Sequence, residues 1–218
     1  MKISNVVLRC ITAAIMVAVL FLAFVLEINW PGIHAVRWLS VAVVLWGIVE
    51  TVICYTKTSP ENFQKNAIVF IMFLTWLVFL LNAAYVVSIR PWIMLWMAMI
   101  IVGADVGGWM FGKLLGGDKM WERLSAGKTW AGQIGGVICG TIMSVFYGFI
   151  STTTSLPELI WVGISVALLS QYGDLTASFI KRRLGIKDFS NLLPGHGGIL
   201  DRFDGWIYVL PLVWFIIR

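Results

Sequence analysis

The feature that most restricts this chain is its succession of apolar runs, at residues 6–26, 34–55, 67–89, 92–110, 131–150, 159–180 and 206–217. A helix that crosses a bilayer uses about 20 predominantly apolar residues, and all but the last of these runs approach or exceed that length. Hydrocarbon offers no partner to a backbone N–H or C=O, so such runs must close their hydrogen bonds within themselves, as helices. The expected fold is an all-α integral membrane protein, a polytopic helical bundle of about seven transmembrane segments. The last run is short for a full crossing, and its topology is the most open. Composition agrees, with 60% hydrophobic and 12% charged residues, whereas soluble domains carry about 25% charged residues.

Charge sets the expected orientation. With the N-terminus in the cytoplasm, Lys2, Arg9, Lys57, Lys65, Lys113, Lys119, Arg123, Lys128, Lys181, Arg182, Arg183, Lys187 and Arg202 fall on one side, against Arg37, Arg90 and Arg218 on the other. That bias follows the positive-inside rule. It turns both large polar loops, 111–130 and 181–205, toward the cytoplasm. Residues 1–90 then read as N-terminal transmembrane helices, and residues 91–218 as a catalytic transmembrane region carrying the two loops. A bacterial inner membrane is the expected location.

Several function classes fall away. The net charge of +5 is explained by loop topology, and no basic arm or aromatic-interleaved face suggests nucleic acid as a partner. Cys10, Cys54 and Cys139 lie far apart in apolar runs, without the spacing of a zinc or redox site. Residues 11–26 exceed the h-region of a signal peptide, so an uncleaved first helix is expected. Gly127-Lys128-Thr129 invites a Walker A reading, but Glu122 stands where that motif needs its first Gly, and an all-helical chain provides no strand ahead of it.

The polar residues concentrate between the last two apolar runs. Lys181, Arg182, Arg183, Lys187 and Arg202 are interleaved there with Asp188, Asp201, Asp204 and His196. Ionisable groups next to membrane segments are costly unless paired or bound, so they mark a site. Asp105 and Asp174 stand within apolar runs and are expected to face the bundle interior. Glu50 is open between an interfacial acid and a site residue. Ser170, Asp174, Ser178 and Lys181 recur at helical spacing and share one face. Asp201 and Asp204, three apart, project from one face if the last helix begins there. With Asp174 they form an oxygen-only acid cluster of the kind Mg²⁺ takes, substrate phosphates completing its coordination. The glycines around His196 allow close approach and expose amide N–H groups that suit phosphate oxygens.

Ser178, Lys181-Arg182, Lys187-Asp188, Leu193-Pro194-Gly195-His196-Gly197-Gly198 and Asp201-Arg202-Phe203-Asp204 together resemble the C-terminal signature of the phosphatidate cytidylyltransferase (CDP-diacylglycerol synthase) family. Gly173-Asp174-Leu175 resembles its Gly-Asp-Leu element. Asp105, Gly112, Gly116, Ser125 and Lys128-Thr129-Trp130, followed by Gly132, Gly135 and Gly136, resemble a second family region. Ala126 stands where the family has Pro, Ala131 where it has Glu and Trp109 where it has Tyr. The resemblance implies cytidylyl transfer from CTP to phosphatidic acid in the membrane, forming CDP-diacylglycerol and pyrophosphate, with Mg²⁺ and a second cation such as K⁺. It implies metal ligands at Asp174, Asp201 and Asp204, and a catalytic group of Lys181, Asp188, His196, Asp201 and Asp204. His196 serves there by anion contact or loop shaping, since an ionised phosphate nucleophile needs little deprotonation. Substrate contacts would come from Asp105, Ser125, Lys128, Thr129, Ser178, Arg182, Lys187, Gly197, Gly198 and Arg202. A homodimer is left open. The alternatives are a cytidylyltransferase for another lipid phosphate, such as an isoprenoid ether lipid, a CTP-dependent lipid kinase, or a channel built on buried acids.

Overall fold

Each apolar run folds as a helix, and local chemistry sets the ends. The computed structural model describes residues 5–56, 60–121, 125–149, 151, 154–193 and 197–217. The order is α1 (Asn5–Asn29), α2 (Ala35–Thr56), α3 (Pro60–Val87), α4 (Pro91–Leu115), β1 (Lys119–Trp121), β2 (Ser125–Thr129), α5 (Trp130–Tyr147), α6 (Leu156–Arg183), α7 (Leu200–Phe203) and α8 (Trp206–Ile217). Pro60 and Pro91 open α3 and α4, where a missing N–H costs nothing. The α6 helix starts on a capping box, with Glu158 reaching back to accept from the Ser155 N–H at 2.9 Å. It stops on Gly185, whose φ of 73° only glycine adopts freely. Gly185 N donates to Arg182 O and Ile186 N to Lys181 O, the two bonds of a Schellman ending.

Among the described residues, five helical stretches are long and apolar enough to cross a membrane: Ile11–Asn29, Ala35–Thr56, Pro91–Leu115, Trp130–Tyr147 and Leu156–Leu184. The apolar stretches Val69–Tyr85 of α3 and Trp206–Ile216 of α8 are shorter. The all-helical expectation is corrected between α4 and α5, where β1 and β2 pair as an antiparallel hairpin, Lys119 against Thr129 and Trp121 against Ser125. A strand therefore does precede α5. Gly127 and Lys128 lie within that strand and Thr129 caps the helix, so the segment is not a glycine loop wrapped on phosphate.

Contacts divide the chain into two units. The first comprises Met1–Pro91, Ile180–Phe203 and Val213–Arg218. In it α2 and α3 pack side by side, with Tyr55 stacked on Phe70 at a centroid distance of 3.6 Å. Phe73 stacks on Phe189, the Cys54 thiol donates to Phe189 O, and Asn66 Nδ2 donates to Arg183 O at 3.1 Å. The N-terminal helices thus hold both ends of the segment 183–189. At the far end of α2, Glu27 accepts from Val36 N at 3.0 Å and lies 3.8 Å from His34 Nδ1.

The second unit comprises Trp92–Phe179 and Asp204–Leu212. Its core includes Ile100, Ala104, Val166, Ala167, Ile207 and Val209, all nearly inaccessible. Trp96 Nε1 donates to Ser144 Oγ, which donates to Leu159 O at 2.5 Å. Three helices approach closely at Gly136, where a Cβ would stand 2.8 Å from Ala104 O of α4 and 2.6 Å from Gln171 Nε2 of α6. Only glycine fits there without a neighbour shifting.

Candidate active site

In the second unit, the hairpin and α6 bring a base and an acid together. Lys128 Nζ on β2 lies 2.5 Å from Asp174 Oδ2 on α6, with the two side chains 25% and 37% exposed, and reaches Gln171 O at 3.5 Å. Asp174 thus has a lysine as its described partner, and the cost of placing a carboxylate at this depth is offset. The next residue, Thr129, is buried and caps α5, accepting from Gly132 N at 3.1 Å. Its hydroxyl is spent on the helix end. Ser125 lies on β2, and its side chain falls outside the described residues. Ser178, one turn after Asp174, is part-exposed. Ser170 is buried, and its Oγ donates to Ala167 O within its own helix.

Two expectations about acids are corrected here. Asp105 is not buried in the bundle: it is exposed, at the margin of the α4 stripe that buries Met97, Ile100, Ile101, Ala104 and Gly107. Nor do Asp201 and Asp204 share one helix. The α7 helix ends at Phe203, and Asp204 stands in the turn before α8, accepting from Gly205 N at 2.9 Å.

In the first unit the C-terminal loop is organised by two buried carboxylates. Lys181 Nζ lies 2.7 Å from Asp201 Oδ1, with side chains only 10% and 2% exposed. The other oxygen, Oδ2, accepts from Phe189 N and Gly198 N, each at 2.9 Å. A buried ion pair is worth forming only when its remaining lone pairs are satisfied, and the two amides satisfy them. The second carboxylate is Glu50 of α2, 2% exposed. It accepts from Ser190 Oγ at 2.6 Å, Trp46 Nε1 at 3.2 Å, and Ile199 N and Leu200 N at 3.0 Å each. Sequence alone left Glu50 undecided, although an acid in an apolar helix is a signal that partners must come from elsewhere in the fold.

The glycines beside His196 do a different job from the one expected. Gly197 N donates to Leu193 O and Leu193 N to Gly197 O, while Gly198 N is taken by Asp201. Those two glycine amides are therefore occupied within the loop and are not presented to a phosphate. What glycine supplies is room: a Cβ on Gly198 would lie 2.6 Å from Glu50 Oε2 and 3.1 Å from Asp201 Oδ2. Gly197 has a φ of 85° and sits against Asp188 and Asp201. His196 lies outside the described residues. Asp188, Lys187 and Arg202 are exposed, as is Arg182, whose guanidinium donates to Ile186 O at 3.1 Å.

Among the described residues no three of His, Cys, Asp and Glu converge as a ligand set. The oxygen-only chemistry of Asp174 and Asp201 suits a hard divalent cation that completes its shell with substrate phosphates and water. Part-exposed Asp174 has an oxygen beyond the one that meets Lys128. Asp201 already engages both of its oxygens. On this geometry Asp174 is the better placed of the two to hold Mg²⁺.

Over 116 residues the chain is 42% identical to the phosphatidate cytidylyltransferase of Staphylococcus haemolyticus (strain JCSC1435), a match covering 53% of this chain and 45% of that protein. It is 42% identical over 117 residues to the protein of the same name in Staphylococcus aureus (strain COL), with the same shares covered. A third, from Staphylococcus saprophyticus, is 41% identical over 116 residues. The chain spans about half the length of the curated relatives it matches. A family model, described as the cytidylyltransferase family, matches residues 2–218. With nearly every residue inside that match, the chain belongs to the cytidylyltransferase family.

Proposed function

We propose that this protein transfers the cytidylyl group of CTP to phosphatidic acid, forming CDP-diacylglycerol and pyrophosphate. The observation that carries the reading is the buried Lys181–Asp201 pair, at the centre of a loop whose residues follow the pattern of the family signature. A lipid phosphate oxygen forms a bond to the α-phosphorus of CTP, and the bond from that phosphorus to the pyrophosphate oxygen breaks. Two polyanions meet in this step, so the site must supply positive charge and fixed geometry. We assign phosphate contact to Lys128 and Lys181, each paired with an aspartate, and further substrate contact to Arg182, Lys187 and Arg202, which are exposed. Asp188, Asp204 and His196 shape the loop around them, and Asp105, Ser125 and Ser178 contact substrate from the other segments. Asp174, Asp201 and Asp204 are the residues that would hold Mg²⁺, Asp174 with an oxygen beyond the one that meets Lys128; the ion would supply Lewis-acid stabilisation of the phosphoryl oxygens, and a monovalent cation such as K⁺ would balance the remaining charge.

The seven apolar helices all enter the membrane in this reading, with the hairpin and the 181–205 loop on the cytoplasmic side of a bacterial inner membrane. CTP then arrives from water while acyl chains stay in the bilayer. The protein works as a monomer or a homodimer. Purified protein incubated with labelled CTP, Mg²⁺ and vesicles containing phosphatidic acid is expected to release pyrophosphate and yield labelled CDP-diacylglycerol. Release of CDP in place of pyrophosphate would identify a kinase and overturn the proposal. Full turnover in excess chelator would remove Mg²⁺ from it.

A further inference from the structure

Glu50 belongs to the second helix, far from the signature in sequence, and its carboxylate spends four hydrogen bonds on the site loop and its own helix. Ile199 and Leu200, whose amides it accepts, begin the short α7 helix that carries Asp201. Ser190, bonded to the same carboxylate, directly follows Phe189, whose amide is held by Asp201. Gly198 lies between the two carboxylates, too close to both for any side chain. Glu50 and Asp201 therefore grip one turn from opposite ends, Glu50 through residues 190, 199 and 200 and Asp201 through residues 189 and 198. The Gly47 backbone, one turn earlier on α2, packs on Leu200, where a Cβ would lie 3.1 Å from Leu200 Cδ1.

We infer that Glu50 is a positioning residue for the reaction: its buried carboxylate fixes the 198–201 turn, and through it the Lys181–Asp201 pair, in the geometry that meets the reacting phosphate. Glu50 itself touches no substrate. The inference rests on the cytidylyltransferase reading, and it gives the N-terminal helices a share in the chemistry. Carboxylate is specifically required. Both oxygens accept from backbone amides, so Glu50→Gln would turn an NH₂ group toward an N–H and leave a buried donor unpaired. Misplacing a catalytic group by about 1 Å costs on the order of 100-fold in rate.

The test compares wild type, Glu50→Gln, Glu50→Asp and Ser190→Ala, by pyrophosphate release with phosphatidic acid vesicles and by amide hydrogen exchange. Glu50→Gln should lower kcat by about 10- to 100-fold with KM for CTP changed less than about 3-fold. Exchange at Ile199 and Leu200 should quicken at least about 10-fold while α4 and α5 keep wild-type protection. Glu50→Asp, which retains the charge, should recover part of kcat. Ser190→Ala removes one bond without touching the core and guards against a Glu50 variant that fails to fold; a fall in its kcat of about 2- to 5-fold is expected. Wild-type kcat in both Glu50→Gln and Ser190→Ala would overturn the inference, as would faster exchange spread evenly over α4 and α5, which would make Glu50 a general stability residue. A wild type that releases no pyrophosphate would instead overturn the reaction, and unchanged exchange at Ile199 and Leu200 in Glu50→Gln would independently remove the grip on the turn.

Discussion

Asp174 and Asp201 each fall in a motif that resembles the family's, yet their surroundings demand different consequences from the same change. Asp201 is sealed against Lys181 and two amides, so Asp201→Asn leaves a buried ammonium without its counter-charge. Breaking a buried pair in this way costs roughly 3–5 kcal/mol, and the variant should lose both turnover and thermal stability. Asp174 is more than one third exposed, and an exposed pair contributes about 0–1 kcal/mol. Asp174→Asn should remain folded, with an unfolding midpoint in detergent close to wild type, while turnover falls by orders of magnitude. Measuring pyrophosphate release against Mg²⁺ alongside thermal unfolding separates the two. Equal stability loss in both variants would contradict the burial difference. Lys128→Ala should raise KM for CTP or lipid without unfolding the protein, since Lys128 is part-exposed. The identities of these residues were legible from the signature alone; their unequal burial was not, because burial depends on segments brought in from far along the chain.

Among the elements, the run 159–180 was legible as a helix, and α6 extends it at both ends, from Leu156 to Arg183. The hairpin was the least legible, because Lys119, Met120, Ser125, Ala126 and Gly127 lack the alternation that marks a strand. It forms because Thr129 pairs with Lys119 and the Trp130 amide donates to Asp118 O, which closes the chain back on itself before α5 begins. Two substitutions measure how the elements are held. Ser155→Ala at the exposed start of α6 leaves the Ser155 amide bonded to Glu158 but removes the cap hydroxyl, and should cost about 0.5–2 kcal/mol with turnover unchanged. Gly136→Val, where three helices meet, should cost more, since overpacking a tight contact costs about 1–3 kcal/mol and a backbone oxygen is one of the atoms displaced. Thermal unfolding in one detergent ranks the pair. A Gly136→Val protein more stable than Ser155→Ala would show that the helices are not pressed together there.

On the scale of the whole molecule, five stretches among the described residues are of crossing length and two apolar helical stretches are shorter. If all seven cross, cysteines introduced at Lys119 and Asn191 should react with an impermeant maleimide from the cytoplasmic side, and one at Ser155 from the opposite side. Labelling of Lys119 and Asn191 from different sides would mean that the two polar segments cannot serve one reaction.

The sequence by itself determined the helices, their membrane class and the family, because these depend on local quantities: apolar runs of a given length and signature residues at the family's spacing. Only the tertiary structure decided which acid meets which base. Lys128 pairs with Asp174 across a sequence separation of 46, by the difference of their numbers, and Glu50 reaches Leu200 across a separation of 150. Partners so distant are chosen by helix packing, where a buried carboxylate takes whatever donors the fold brings within about 3 Å. That is why Glu50 looked ambiguous on its helix, and why the signature glycines turned out to make room for carboxylates.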